Sequence, residues 1–137
     1  MRRIITDQPD HIGTWVCARA GGVYNPAENY AMGMEENGEL IAGVLYTNYY
    51  PEGSVQIHIA AEPGKRWATR DAIHAAFDYP FNQLKVRKII GIVREDNIAA
   101  QRIDAHLGCV LETRIAGACA GGDLLVYTMT REQCRYL

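Results

Sequence analysis

Residues 55–70 read VQIHIAAEPGKRWATR, and the fold is decided by the change of pattern within this stretch. In its first part, apolar residues alternate with Gln56, His58 and Ala60, which is the period-two pattern of a β-strand with two differently used faces. The proline and glycine that follow cannot continue a regular strand. A helix is predicted from Trp67, so the stretch contains a strand, a loop and a helix N-terminus in succession.

The chain before this stretch is predicted to form a strand, a helix and a hairpin. Asp7 is the predicted cap of the helix, and Pro9 suits its first turn. Asn37-Gly38 is the strongest short signal for a hairpin turn that a sequence offers. The predicted elements are a strand over 2–6, a helix that Gly21-Gly22 ends, and hairpin strands over 30–34 and 39–50.

The chain after the stretch is predicted to alternate helices and strands. The first helix closes at Tyr79-Pro80-Phe81, because the residue before a proline avoids helical angles. Asn97 caps a second helix, and Gly108 stands where a C-terminal glycine belongs. The remaining elements are a buried strand over 88–93 and a hairpin of strands 110–115 and 124–129 around Gly121-Gly122.

This order of elements predicts an α/β (α+β) fold in one domain over residues 1–137. A chain of this length buries a single core. We expect one mixed, mostly antiparallel sheet of about six to seven strands, flanked by about three helices.

Composition excludes several classes of protein. Apolar residues are 48% and charged residues 22% of the chain, close to the average for globular proteins. The net charge of -2 argues against an extended nucleic-acid or anionic-membrane surface. The four cysteines form no C-x-x-C pair, so no zinc or other metal site is expected. No secretory signal or membrane span is recognised, which predicts a cytoplasmic protein with reduced thiols.

The junction over residues 62–70 is a candidate anion site. A strand that leads through a loop into a helix points free backbone amides at one spot. Lys65, Arg66 and Arg70 add three cationic side chains within six residues, and a helix begun by Trp67 would place Arg66 and Arg70 about one turn apart. A phosphate-bearing ligand is predicted, and the alternative is an ordinary solvated basic helix start.

Two motifs carry a family resemblance. Residues 64–69, GKRWAT, resemble the cofactor loop of the GCN5-related N-acetyltransferase (GNAT) superfamily, in particular its ribosomal-protein N-terminal acetyltransferase branch. Asn97, Ala100 and Leu107-Gly108-Cys109 match a second motif of that branch at the same spacing. The resemblance covers residues 54–111 closely and extends to short acetyltransferase-like proteins of phages and prophages.

The resemblance implies acyl transfer from an acyl-CoA, most simply acetyl-CoA, to an amine. It implies that the pyrophosphate lies on the amides of residues 64–68, and that the pantetheine arm pairs like an extra strand with the strand end around residues 59–61. The implied cofactor-binding residues are Ile59, Ala60, Ala61, Gly64, Lys65, Arg66, Trp67, Ala68, Arg70 and Asn97.

Two residues depart from the family pattern. Arg66 replaces a loop glycine, and it either obstructs the phosphates or binds them through its guanidinium; we expect binding. Asp104 stands where many relatives have a tyrosine that acts as the general acid. Because a carboxylate is ionised at neutral pH unless it is strongly desolvated, the role is not transferred, and a solvated helix face is predicted for Asp104.

His58 is the candidate general base, since histidine titrates near neutral pH and the strand before the loop borders the expected cleft. Gln56 is the cleft-facing alternative on the same face of the strand. The competing interpretation is that His58 packs beneath the hairpin with a satisfied hydrogen bond. Glu35 and Glu36 are predicted surface charges, with recognition of an amine as the alternative.

Three functions remain open at this stage. The leading one is an N-acyltransferase in which a primary amine, a protein N-terminus or a small amine, attacks directly between the first helix and the Asn37-Gly38 hairpin. The second is an inactive protein of the same fold that binds CoA or a partner, and the third is modification of a nucleic-acid base. Substrate choice is expected from the loops over 20–28 and 48–53, and a homodimer could form through C-terminal edge strands.

Overall fold

The computed structural model describes residues 1–137 and contains seven strands, three α-helices and one π-helical turn. The strands are β1 (Arg2–Ile5), β2 (Tyr30–Glu36), β3 (Glu39–Tyr50), β4 (Ser54–Ala61), β5 (Lys88–Arg94), β6 (Val110–Cys119) and β7 (Gly122–Thr130). The helices are α1 (Pro9–Ala20), α2 (Arg70–Asp78) and α3 (Ile98–Leu107), and the π-helical turn spans Tyr79–Gln83.

All strands form one sheet in the order β1-β2-β3-β4-β5-β7-β6. Only β4 and β5 are parallel, and every other neighbouring pair is antiparallel. The predicted mixed, mostly antiparallel sheet is therefore confirmed. The predicted turn is confirmed as well, because Asn37 (φ 53°) and Gly38 (φ 86°) both adopt the left-handed angles that a tight two-residue hairpin needs.

Helices cover both faces of the sheet. On one face, Ile12 and Val16 of α1 pack on buried side chains that include Leu45 and Ala60. On the other face, Trp67 and the apolar side of α2 join the larger core cluster, to which α3 contributes Leu107. Each fully buried side chain of this size contributes about 1.5–3 kcal/mol to the free energy of unfolding.

The parallel pair separates part-way along its length. Strands β4 and β5 pair over three residues, from Ser54 opposite Lys88 to Gln56 opposite Ile90, and the ladder ends there. Beyond that point the C-terminal half of β4 pairs only with β3, through Ala61 opposite Ala42. The two strands therefore leave a gap in the middle of the sheet, at the end where β4 leads into the loop.

Two helix boundaries differ from prediction. Gln8, not Asp7, is the N-cap of α1, and no side chain caps that helix. The second helix begins at Arg70 rather than Trp67, because the Thr69 hydroxyl accepts the Ala72 amide at 3.2 Å and caps the chain there. Trp67 instead extends its side chain into the core.

The predicted end of that helix is confirmed, because α2 ends at Asp78 with Tyr79 as its C-cap. The chain continues through Pro80 as a π-helical turn, in which the Leu84 amide donates to the Tyr79 carbonyl at 2.9 Å. Pro80 has no N–H to donate to the Ala76 carbonyl one turn earlier, and that carbonyl accepts from the Tyr46 hydroxyl instead.

The C-terminal hairpin differs from the rest of the sheet in exposure. Strand β6 is the edge strand, and its residues from Val110 to Ala118 are exposed. Leu111 and Ile115 are among the exposed large apolar side chains.

No helix in the structure has both the length and the apolar character required to cross a bilayer.

Candidate active site

A cavity of about 340 Å³ lies at the separation of β4 and β5. It is bordered by side chains from both faces of the sheet. Gln56 and His58 share the face that α1 covers, whereas Asp104 reaches the cavity from α3 on the opposite face. Because the ladder between β4 and β5 has ended, the cavity connects the two faces through the sheet.

Gly91 keeps this passage open. A Cβ built at this position would lie 3.3 Å from the Asp104 Oδ2 atom and 3.9 Å from the Ile57 carbonyl oxygen. Any side chain here would therefore press on the carboxyl group that lines the cavity. Glycine in a strand marks this kind of close approach.

His58 lies half-buried in the cavity wall. Its Nε2 atom is 3.0 Å from the Thr47 hydroxyl, so the predicted hydrogen bond of a packed histidine is present. Burial lowers the pKa of the His58 imidazole, because the charged form loses solvation. His58 is therefore neutral at pH 7, and when Nε2–H donates to Thr47 the Nδ1 atom is left to accept a proton.

Asp104 contradicts the prediction of a solvated helix face. Its side chain lines the cavity and forms no ion pair or hydrogen bond within the protein. Burial raises the pKa of this carboxyl to about 7. An aspartate can hold a proton at neutral pH when it is strongly desolvated, and Asp104 meets this condition. Asp104 can therefore donate a proton as well as accept one.

The loop after β4 presents unused hydrogen-bond donors. The backbone amides of Arg66, Trp67 and Ala68 donate to no acceptor in the protein. The side chains of Arg66 and Arg70 are exposed and form no ion pair, whereas Lys65 lies 3.5 Å from Glu36. Because α2 begins only at Arg70, the two arginines are not one helical turn apart as predicted, although both flank the free amides.

No protein-family model matches the sequence, and neither does any curated protein. A mutant of the spermidine N-acetyltransferase SpeG from Vibrio cholerae is 20% identical, with a TM-score of 0.74, and the match covers 100% of this chain and 95% of that one. The ribosomal-protein-S5-alanine acetyltransferase from Vibrio fischeri is 13% identical, with a TM-score of 0.68 and coverage of 98% and 94%.

The chain has the GNAT fold. The predicted resemblance is thereby confirmed at the level of the fold. A third similar structure, described as a probable acetyltransferase, is 13% identical with a TM-score of 0.65, and the match covers 77% of this chain. The chain spans 62% of that protein's length.

The remaining predicted residues have different positions in this GNAT fold. Ile59 lines the cavity, and Asn97 lines it as well while its side chain accepts the Ala100 amide at 3.1 Å, as predicted for a cap. Ala60 is buried beneath α1, and Trp67 is only 9% exposed, so its backbone rather than its ring is available to a ligand. No group of three or more histidine, cysteine or acidic side chains is arranged to hold a metal ion.

The Asn37-Gly38 hairpin is not beside His58. It lies next to the chain N-terminus, whose amino group donates to Asn37 at 2.7 Å. Thr47, which contacts His58, lies nine residues further along β3, or roughly 30 Å at the rise of a strand. The predicted acceptor position between the first helix and this hairpin therefore lies far from His58.

Glu35 and Glu36 do not face the region around His58 either. Glu35 pairs with Arg3, and Glu36 lies 3.5 Å from both Arg2 and Lys65. The prediction of surface charges holds for Glu36, whereas Glu35 is only 7% exposed. The negative charges of these two carboxylates are balanced by arginines of β1 and by Lys65 of the loop.

A second cavity, of about 320 Å³, adjoins the first on the α1 face. The two share Gly21, Gly22, Gln56 and His58 in their walls. We call it the lateral cavity. The sequence indicated part of its lining, namely the loop over 20–28, Asn48 at the start of the loop over 48–53, Gln56 and His58. Cys17, Leu45 and Thr47 were missed, because α1 and β3 meet there only in three dimensions. The full lining is Cys17, Gly21, Gly22, Val23, Asn25, Glu28, Asn29, Leu45, Thr47, Asn48, Gln56 and His58.

Proposed function

We propose that the protein is an acyl-CoA-dependent N-acyltransferase that transfers an acetyl group from acetyl-CoA to a primary amine by direct attack. One observation carries the proposal. The cavity between β4 and β5 has a neutral imidazole on one face of the sheet and a carboxyl group with a pKa of about 7 on the other. A base and an acid on opposite sides of one cavity are what amine attack on a thioester requires.

The residues around the cavity fit acetyl-CoA. The free amides of residues 66–68 and the unpaired guanidinium groups of Arg66 and Arg70 suit a pyrophosphate. The half of β4 that lacks a β5 partner, residues 57–61, offers a strand edge to an extended amide-containing arm. When bound, acetyl-CoA supplies an activated acyl group on a thiolate leaving group.

His58 removes a proton from the acceptor ammonium, directly or through one water, which frees the nitrogen lone pair. The Nδ1 atom is the proposed acceptor of this proton, because Nε2 is turned to Thr47. The amine nitrogen then forms a bond to the acyl carbon as the bond from that carbon to sulfur breaks. Bringing two bound reactants together supplies several kcal/mol of the barrier in such a scheme.

Asp104 donates its proton to the departing sulfur in this scheme. The carboxylate that remains and the imidazolium of His58 return to their starting forms by proton exchange with water. Asp104 would thus fill the role of the tyrosine that many relatives have at this position. Its half-buried carboxyl, which forms no hydrogen bond within the protein, supports the assignment, since an exposed aspartate would be ionised throughout the neutral range.

The described activities of the similar structures agree with this proposal. One is a spermidine N-acetyltransferase and one acetylates an alanine of ribosomal protein S5, so both act on amines. A second candidate function, binding of CoA or a partner without turnover, is favoured by one observation. Arg66 stands in the loop where the family pattern has a glycine, and its side chain could obstruct the phosphates.

Thermal unfolding with and without acetyl-CoA tests cofactor binding. A ligand at about a hundred times its dissociation constant adds roughly 2.7 kcal/mol, which moves the midpoint by several degrees for a domain of this size. We expect this shift for the wild type and a smaller one for Arg66→Ala. Arg102→Ala is the matched control, because Arg102 is also exposed and without an ion pair but lies on α3.

Release of CoA on addition of amines tests turnover. A thermal shift together with amine-dependent release supports the transferase. A shift without release by any amine supports the binding protein, and no shift at millimolar acetyl-CoA contradicts both. A shift that Arg66→Ala enlarges would show that the Arg66 side chain obstructs the site.

A further inference from the structure

The lateral cavity adjoins the proposed reaction site but is not explained by it. Gln56 and His58 form its inner end, where it meets the cavity that would hold the thioester. The lateral cavity gives an acceptor a route to His58 from the α1 face. The lining of the lateral cavity therefore bears on which amines can be acetylated.

Charge in the lateral cavity is limited to one carboxylate. Glu28 is exposed and forms no ion pair, and its carboxylate accepts one hydrogen bond, from the side-chain NH₂ of Asn25 at 3.3 Å. No lysine or arginine lines the cavity, and His58 is neutral at pH 7. One ammonium group would find a partner here, whereas a carboxylate on the acceptor would meet only the like charge of Glu28.

Carboxamides supply the other polar groups. The side chains of Asn48 and Gln56 form no hydrogen bond within the protein. The side-chain oxygen of Asn29 accepts the backbone N–H of Asn25 at 2.7 Å, and its NH₂ group is free. A carboxamide both donates and accepts. Such groups match hydroxyl or amide groups on a ligand, which have the same dual character.

The position of Asn48 depends on a β-bulge. Leu45 and Thr47 point to the α1 face, so regular alternation would send Asn48 to the opposite face. The pairing of β3 with β4 shifts between Thr47 and Tyr50, and Asn48 adopts a φ of 51° within this bulge. As a result Asn48 lines the same cavity as Thr47. Bulges of this kind redirect side chains beside functional sites.

We propose that the lateral cavity is the acceptor site, and that it selects small primary amines that bear hydroxyl or amide groups and lack a carboxylate. The inference rests on the proposed function, because it names the acceptor of that reaction. Glu28 attracts the ammonium into the cavity before His58 deprotonates it at the inner end, and Asn48 and Gln56 bind the neutral polar groups. Polyamines are disfavoured, because their additional charges would have no second carboxylate to pair with.

The test compares kcat/KM for four amines by release of CoA from acetyl-CoA. The probes are 3-aminopropanol, β-alanine, n-butylamine and spermidine, whose primary amines have similar basicity, so that differences reflect binding rather than nucleophilicity. We expect 3-aminopropanol to exceed each of the others by about tenfold, the effect of one well-placed polar interaction. Equal or higher values for β-alanine, n-butylamine or spermidine would overturn the inference.

Asn48→Gly tests the role of the bulge. Glycine tolerates the positive φ, so the backbone is preserved while the side chain is removed. The kcat/KM of this variant for 3-aminopropanol should fall about fivefold, in line with the loss of one neutral hydrogen bond. Its kcat/KM for n-butylamine, which has no hydroxyl group to bind Asn48, should stay the same. Asn37→Gly is the control, because Asn37 also has a positive φ (53°) but lies in the distant hairpin. Equal values for the two variants would overturn the assignment of Asn48.

Glu28→Gln should lower kcat/KM about tenfold for 3-aminopropanol and n-butylamine, because their ammonium loses its partner, and should lower it less for β-alanine, whose carboxylate is no longer repelled. No change in this variant would contradict the role of Glu28. Failure of the inference and failure of the transferase proposal are distinguishable. If acetyl-CoA stabilises the protein but no amine releases CoA, both are overturned, whereas release that is fastest with n-butylamine overturns the acceptor class alone.

Discussion

The two halves of β4 differ in how many neighbours they have. The first half, Ser54–Gln56, pairs with β3 on one side and β5 on the other, and Val55 within it is 1% exposed. The second half, from Ile57 to Ala61, pairs with β3 alone and borders the cavity. One strand thus provides core packing where its hydrogen bonds are complete and a ligand-accessible edge where they are not.

His58 carries the largest expected effect in the second half. We expect His58→Gln to lower kcat about a hundredfold, because glutamine can keep the contact with Thr47 but cannot accept a proton near neutral pH. Initial rates at saturating substrates measure this change. Gln56→Ala, on the same face of the strand, is the control, and its kcat should change much less. A rate for His58→Gln close to that of the wild type would exclude His58 as the base.

Asp104 faces the same gap and should respond to pH. It acts in its protonated form, so kcat should fall as pH rises through about 7. Asp104→Asn should lower kcat about tenfold at pH 6.5 and remove that alkaline decrease. Rate profiles from pH 5.5 to 8.5, a range of roughly three units around that value, would show both effects.

The same carboxyl predicts a pH-dependent stability. Because its folded-state pKa is raised, the stability that the protonated group contributes is lost as pH rises from the unfolded value through about 7. Asp104→Asn should therefore stabilise the protein more at pH 8 than at pH 5, by roughly 2 kcal/mol. Urea unfolding at both pH values measures the difference. An equal effect at the two pH values would show that Asp104 is not desolvated.

Truncations in the two halves compare their contributions to folding directly. Val55→Ala should lower the free energy of unfolding by about 2 kcal/mol, since it leaves a hole in a packed core. Ile59→Ala should cost about 1 kcal/mol despite losing more atoms, because Ile59 is only half-buried beside the cavity. Denaturant titrations measure both values. The reverse order would mean that the second half, not the first, anchors the strand.

Gly91→Ala is the smallest change we consider. The added methyl group would lie 3.3 Å from the Asp104 carboxyl, so Asp104 must shift by a few tenths of an ångström. We expect kcat to fall about threefold with stability almost unchanged. The control is Gly53→Ala beside the paired half, where the new methyl would lie 3.4 Å from the Tyr50 carbonyl. Full activity in Gly91→Ala would show that the position of Asp104 is not critical.

Local features of the fold were predictable from the sequence. Asn37-Gly38 forms the expected turn, Asn97 caps α3, and Gly108 ends that helix with a φ of 100°. Each of these depends on angles or hydrogen bonds within a few residues, so a sequence pattern is sufficient to find it. The alternation that places Gln56 and His58 on one face of β4 is equally local.

Features that depend on distant contacts were not predictable. The burial of Asp104 arises because α3 packs over the gap between β4 and β5, and no neighbouring residue in the sequence reports that gap. The start of α2 was misplaced because the side chain of Trp67 fits a tertiary pocket instead of a helix face. The bulge at Asn48 has no signal beyond the tolerance of asparagine for positive φ.

Trp67 also determines when the loop becomes ordered. Because its indole is buried in the same core as α2, the loop over residues 62–69 is positioned during folding and not during ligand capture. Ordering a flexible segment costs about 1–2 kcal/mol of conformational entropy per residue, and here that cost is met before any ligand arrives. Association with an anionic ligand should then be limited by diffusional encounter rather than by rearrangement of the chain.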